Sequence, residues 1–158
     1  MKSKSVEDSK VSMSVVMMPQ HANPAGNVHG GEIMKIMDNT AGVVARRHAR
    51  TNIVTARVDE MEFHQPIRVG DVVTCYGELT FAGKSSMEVS VTVTVEDLSK
   101  EEPALTALTA FFTLVSLDAD GHPQAVPALA AKSEAERCAF AEGYRRYLAY
   151  KLQRKNTN

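Results

Sequence analysis

Residues 23–48 read N-P-A-G-N-V-H-G-G-E-I-M-K-I-M-D-N-T-A-G-V-V-A-R-R-H. A glycine-containing loop feeds a helical pattern. At about 100° per residue, Ile33, Met34, Met37, Ala41, Val44 and Ala45 fall on one face, with Glu32, Lys35, Asn39 and Arg46 opposite. Asn27 is the predicted N-cap. Asp38 lies at the edge of the apolar arc, about 20° from Ala45 and about 40° from Gly42. Side chains that small leave open space above its carboxylate.

Two readings of Asp38 stand side by side. One is a boundary acid paired with Lys35 or with a backbone amide. The other is a partly desolvated carboxylate acting as a general base, with the gap beside it filled by substrate. Gly30 and Gly31 pose a similar choice. They are poor helix formers placed where the helix should begin. Either they let another group reach the free N–H donors of the first turn, which attract developing negative charge, or they permit tight packing against a strand. Asp38 lies eight residues beyond Gly30, about 12 Å along the axis at 1.5 Å per residue. One small reacting centre cannot touch both within one chain. If both serve it, they come from two copies whose helices run antiparallel across a dimer axis.

The combined pattern N-x-x-G-N-V-H-G-G-x-x-x-K-x-M-D-x-x-A-G, followed by R-H-x-x-T-N-I-V-T-A, resembles the hotdog-fold acyl-CoA thioesterases. It is most similar to the second repeat of the two-repeat cytosolic acyl-CoA hydrolase and to single-repeat bacterial relatives. The resemblance covers roughly residues 11–127 and implies a thioester hydrolase with acyl-CoA as substrate. It implies that Asn23 orients the water or the thioester carbonyl from the partner protomer, although an asparagine before Pro24 also reads as an ordinary turn residue. It further implies that a chain carrying both Asn23 and Asp38 forms a homodimer with two shared sites, within a hexamer built as a trimer of dimers.

Length and composition set outer bounds. The 158 residues suffice for one domain with a proper core, and 44% hydrophobic with 23% charged residues is ordinary for a globular chain. A net charge of −1 gives no basic footprint for nucleic acid. No apolar run reaches the length of a membrane span, and Met1–Lys10 is polar, unlike a signal peptide. Cys75 and Cys138 suggest reduced thiols in a cytoplasmic protein, and no Cys/His cluster has metal spacing. No metal and no separate cofactor are expected, coenzyme A being part of substrate and product.

Around the helix the pattern is that of strands. Residues 1–10 read as a flexible tail and Val11–Met18 as a first strand ended by Pro19. Ile53–Phe63, Val72–Phe81, Met87–Val95 and Leu105–Leu117 follow. In the third of these, Met87, Val89, Val91, Val93 and Val95 face one way, with Glu88, Ser90, Thr92 and Thr94 facing the other. One long helix and four long antiparallel strands give an α+β class, a sheet curled around a helix, over residues 11–127. Residues 128–158 form a connector and a C-terminal helix that opens on the capping box Ser133-Glu134-Ala135-Glu136. Phe140, Tyr144, Tyr147, Leu148 and Leu152 make its docking stripe. Arg145, Arg146, Lys151, Arg154 and Lys155 crowd its end, where the macrodipole favours positive charge.

The turn Gly83-Lys84-Ser85-Ser86 reads as a hairpin connection. The resemblance makes it a segment that contacts coenzyme A, where a cation and hydroxyls suit phosphate. Arg57 reads either as a further phosphate ligand or as an exposed strand residue. His29, His48 and His64 have no nucleophile at motif spacing and read as packing or loop residues. Two other activities compete with hydrolysis. A hotdog dehydratase of 3-hydroxyacyl thioesters would pair His29 with Asp38 across a dimer. A non-catalytic acyl-CoA-sensing module would need a DNA-binding domain for which the short N-terminal segment leaves no room.

Overall fold

In the computed structural model, which describes residues 1–158, the apolar arc becomes α1, Gly30–Ala49. Ile33, Met37, Ala41, Val44 and Ala45 are buried as the wheel requires. Met34 departs from it: its side chain is exposed, and Thr40 and His48 join the buried stripe instead. Thr40 tolerates burial because its hydroxyl donates to the Ile36 carbonyl at 2.8 Å, one turn back.

Seven strands and a second helix surround α1: β1 (Lys4–Ser5), β2 (Val11–Val16), β3 (Asn52–Asp59), β4 (Val72–Ala82), β5 (Ser86–Glu96), β6 (Leu105–Leu117), β7 (Leu129–Ala130) and α2 (Glu134–Thr157). The main sheet has the order β2-β4-β5-β6-β3 and is antiparallel throughout. α1 lies across one face and touches all five of its strands. This is the helix-in-sheet, α+β arrangement expected from the sequence.

The approach of α1 to β4 is close enough to require a glycine. A Cβ on Gly77 would stand 2.9 Å from both Thr40 Cγ2 and Val44 Cγ2. On β5, Met87, Val89, Val91 and Val93 point inward to the core as the alternation predicts. Glu88, assigned by the same alternation to the open face, is only 4% exposed. The reason is α2, which covers that part of the outer face. Arg146 of α2 bridges the Glu88 carboxylate at 2.8 and 2.9 Å, and the Thr80 hydroxyl donates to it at 2.6 Å. A Cβ on Gly143 would meet Phe81 Cβ at 2.8 Å and Glu88 Oε1 at 2.9 Å, so this glycine sets how close α2 sits.

α2 begins as the sequence says, with the Ser133 hydroxyl accepting from Glu136 N–H and the Glu136 carboxylate accepting from Ser133 N–H. Its stripe docks only in part. Phe140 and Tyr147 pack on Phe81 as tilted rings with centroids 5.1 Å apart in each case, but Leu148 and Leu152 are exposed.

Two expectations need correction. The third strand of the chain stops at Asp59 rather than Phe63, because Glu60 takes a left-handed conformation (φ 55°) that turns the backbone away. Residues 4–10 are no frayed tail. Lys4–Ser5 pairs in parallel with β7, Val6 is 3% exposed, and the Lys4 ammonium donates to the His48 carbonyl at 2.6 Å. That contact places a cation on the unpaired carbonyls at the C-terminal end of α1. No helix is long and apolar enough to cross a membrane.

His48 is fully buried, and its Nε2 lies 2.7 Å from the Pro127 carbonyl. A carbonyl can only accept, so Nε2 carries the proton, and the buried Nδ1 has no partner. Burial pushes the imidazole below its ordinary value, against the Pro127 carbonyl, which pulls it up. The unfolded chain therefore takes up this proton more readily than the folded one. The stability His48 contributes is present above about pH 6.5 and is lost as pH falls below it. Thermal unfolding at pH 7.5 and 5.5 should show a larger fall in Tm for the parent than for His48→Gln; equal falls would remove His48 from the acid sensitivity.

Candidate active site

Asp38 sits on α1 where the helix passes the edge strand β3. The Thr55 hydroxyl donates to Asp38 Oδ1 at 2.6 Å, while Oδ2 accepts nothing from the chain. Thr55 owes its direction to a β-bulge. Thr55 pairs with Leu114 and Arg57 with Thr113, so Ala56 is left over between them. Thr55 therefore shares the α1 side of the sheet with Leu114. Arg57 belongs to the row Phe81–Glu88–Thr113–Arg57 on the outer face.

Of the two readings of Asp38, the ion pair is not realised: Lys35 lies 3.7 Å from Glu32 instead. The expectation of a partly desolvated acid also needs correction, because in the single chain Asp38 is exposed. The helical wheel registers the buried residues flanking it, but no other element of the chain closes over this edge. The open space predicted beside it is present, since a Cβ on Gly42 would meet nothing within 4 Å.

The other group of candidates lies at the N-terminal end of α1 and in the loop before it. Asn23 Oδ1 accepts from the N–H groups of Ala25 (3.0 Å) and Asn27 (3.2 Å), which makes the turn that its position before Pro24 suggests. Those two bonds fix the amide orientation and leave the Asn23 NH₂ as a free donor. The helix N-cap is His29, not Asn27: its Nδ1 accepts from Gly31 N–H at 3.2 Å. Asn27 is instead drawn into a bridge with Arg68. Gly31 N–H is thus occupied, whereas Gly30 N–H donates to no group in the chain. Phe63 lies over Gly30, 3.6 Å from where a Cβ would stand. The structure therefore joins Asp38 to Thr55 and sets them about 12 Å along α1 from Gly30, with Asn23 in the loop that leads to it. Thr55 lies within the T-N-I-V-T-A stretch of the resemblance, but a threonine in a β-branched run gives no sign that it will meet Asp38.

Arg57 is engaged in part by its own neighbours. Its Nε donates to Asp59 at 2.7 Å, and its guanidinium lies 3.3 Å from the Tyr150 ring centroid. The turn Gly83–Ser86 is pinned by its backbone: Gly83 N–H donates to Ser86 O, Ser116 N–H to Ser85 O and Val126 N–H to Lys84 O. The Lys84 side chain remains exposed. Ser86 pairs with Val115 and Val115 with Val54, the neighbour of Thr55. The turn is therefore two strand spacings, about 10 Å, from the Thr55 edge. Burial pushes the Cys75 thiol up to about 11, so it is no nucleophile at neutral pH. Asp118, Asp120 and His122 gather at an exposed turn, where Asp118 Oδ1 accepts the N–H groups of the other two.

Residues 25–102 match the family model described as the thioesterase superfamily. The chain is 43% identical to the cytosolic acyl coenzyme A thioester hydrolase of Mus musculus over 95% of its own length. It spans about 40% of the length of that relative. An acyl-CoA hydrolase from Staphylococcus aureus, solved in complex with butyryl coenzyme A, superposes with a TM-score of 0.87 at 30% identity, over 98% of this chain and 93% of that one. The same enzyme has been solved with an asparagine, an aspartate or a threonine replaced by alanine. A hexameric thioesterase from Yersinia pestis superposes with a TM-score of 0.68 at 35% identity, over 73% of this chain and 93% of that one.

The capping role of His29 has a measurable consequence. His29→Ala should cost about 1 kcal/mol of stability, and His29→Asn, which restores a good cap, less than about 0.5 kcal/mol. Denaturant unfolding checks this; equal losses would show that Nδ1 is not what holds the helix start.

Proposed function

The chain belongs to the hotdog-fold acyl-CoA thioester hydrolases of the thioesterase superfamily, and from that membership we propose that it hydrolyses acyl-CoA to a free acid and coenzyme A. The observation that carries the reading is the Thr55–Asp38 contact. It holds one carboxylate oxygen and leaves the other bare, beside the open space at Gly42. The three residues replaced by alanine in the Staphylococcus aureus enzyme have the same types and the same spacing as Asn23, Asp38 and Thr55.

In this reading Asp38 takes a proton from water as the water oxygen attacks the thioester carbonyl. A negative charge then develops on the carbonyl oxygen. The free Gly30 N–H at the positive end of α1 receives it, and the Asn23 NH₂ orients the water or the carbonyl. Collapse breaks the C–S bond, and the coenzyme A thiolate leaves and is protonated. Direct attack by Asp38 through an anhydride is the variant of the same chemistry. A carboxylate base contributes typically about 10²–10⁴-fold, and an oxyanion donor about 10²–10³-fold. The reaction as written uses no metal and no cofactor.

In this reading Asp38 with Thr55 and Asn23 with Gly30 are two half-sites, too far apart along one helix to serve one reacting centre and therefore joined between copies. The catalytic unit of the proposal is a homodimer in which the partner's Asn23 and the partner's Gly30 face Asp38. The unpaired edge of β3, with Val54 and Val58 exposed, suits such a contact and would desolvate Asp38. Assembly into a hexamer follows the Yersinia pestis relative. Lys84 with Ser85 and Ser86 is the proposed coenzyme A contact, without Arg57. Two free cysteines suit a reducing, cytoplasmic setting.

The test uses Asp38→Ala, Asn23→Ala and Thr55→Val purified as assembled protein, with coenzyme A release followed on acyl-CoAs from acetyl to palmitoyl. Asp38→Ala should lose at least about 10²-fold in kcat, and Thr55→Val about tenfold, the worth of one hydrogen bond to a charged acceptor. A near-parental rate for Asp38→Ala or Asn23→Ala overturns that residue's role. Hydration of crotonyl-CoA without coenzyme A release would instead establish the dehydratase, and tight binding without turnover the sensing module.

A further inference from the structure

Three polar side chains on the outer face of the sheet have no part in the chemistry above, yet they close on one another. Tyr150 of α2 donates its hydroxyl to Asp59 Oδ2. Asp59 Oδ1 accepts from Arg57 Nε at 2.7 Å. The Arg57 guanidinium returns to Tyr150, 3.3 Å from its ring centroid, and reaches Gln153 at 3.5 Å. We propose that this triad is a clamp by which α2 fixes the β3 bulge and so sets the Thr55 hydroxyl against Asp38. It makes Tyr150, Asp59 and Arg57 positioning residues for the hydrolysis, and as such it rests on the role given to Asp38.

The argument begins with the edge. Within the chain β3 has a neighbour on one side only, β6, so its position depends on the partner's contact proposed above and on whatever grips its side chains. Its ladder is also interrupted between Thr55 and Arg57, the stretch that must be held for Thr55 to reach Asp38. A bulge at an edge is soft unless something outside the ladder fixes it. The clamp grips Arg57 and Asp59, the first two outward side chains after the bulge. Both are charged, Asp59 is held through both carboxylate oxygens, and Arg57 is held through Nε and the face of its guanidinium. Their grip passes through one residue of backbone, Ala56, to Thr55 on the other face.

The clamp has reason to be specific in α2 as well. Leu148 and Leu152, which flank Tyr150, are exposed and add little adhesion. Past Tyr147, which packs on Phe81, the helix is held to the sheet by Tyr150 and Gln153. Burial first, and then the bond to Asp59, push the phenol up to about 12, so Tyr150 remains a donor over the whole working range.

The experiment compares Tyr150→Phe, which keeps the ring over Arg57 and removes only the hydroxyl, with Tyr144→Phe, which removes a hydroxyl from α2 outside the triad. Amide hydrogen exchange in the assembled protein should rise about tenfold across residues 52–59 in Tyr150→Phe, with β4 and β5 unchanged, and remain parental in Tyr144→Phe. Coenzyme A release should fall about tenfold in kcat with KM within about twofold. In a Thr55→Val background the same substitution should produce no further fall, because the clamp acts through the hydroxyl already removed. Parental exchange at 52–59 overturns the clamp. An equal fall in kcat with and without Thr55→Val overturns the route through Thr55. If the parent releases no coenzyme A, the proposed function has failed, and the exchange arm still decides the clamp.

Discussion

The rest of the structure depends on how closely α1 lies on the sheet. At Gly77 the β4 backbone meets Thr40 and Val44 with no room for one further carbon. A helix that near can touch five strands at once, provided the sheet bends around it. The core that results is assembled from one stripe of α1 and the inward faces of β4, β5 and β6. It leaves the flank of the helix carrying Asp38 at the rim, beside β3, where a carboxylate can be supported by the fold and yet be open on one side.

The two ends of α1 are secured by different means, and the difference bears on chemistry. At the C-terminal end, Lys4 satisfies the His48 carbonyl and residues 4–10 wrap over it. That end is structural. At the N-terminal end, His29 satisfies one donor and leaves Gly30 N–H bare. The helix is thus capped incompletely at the end where its dipole attracts an anion. Incomplete capping is destabilising in isolation and is the kind of local cost that recurs where a fold serves a reaction.

Local pattern in the sequence was a good guide wherever one neighbour dominates. The β6 boundaries, the inward row of β5 and the Ser133 capping box all follow from periodicity or from contacts three residues apart. The misreadings share a different cause, an unseen neighbour. Glu88 alternates like a solvent residue, but α2 arrives from 58 residues away to cover it. Lys4 looks like part of a polar tail until β7 pairs beside it. His29 outbids Asn27 as cap because the bridge to Arg68 takes Asn27 away. Thr55 is joined to Asp38 across 17 residues by a bulge that has no sequence signature. Asp38 lies on the helix as its periodicity requires, and it is exposed because no other element of the chain covers that flank.

The bare margin of β3 has a consequence of its own. Its eight residues contain no proline, and its only charged side chains, Arg57 and Asp59, are drawn onto the outer face by Tyr150. Of the guards that ordinarily keep a sheet margin from recruiting foreign strands, the bulge at Ala56 is the one that remains. A protomer separated from its neighbours would present Val54 and Val58 on an unpaired edge guarded by that bulge alone. Dilution or dissociation is thus a hazard to solubility, and keeping that margin occupied protects the chain from aggregation.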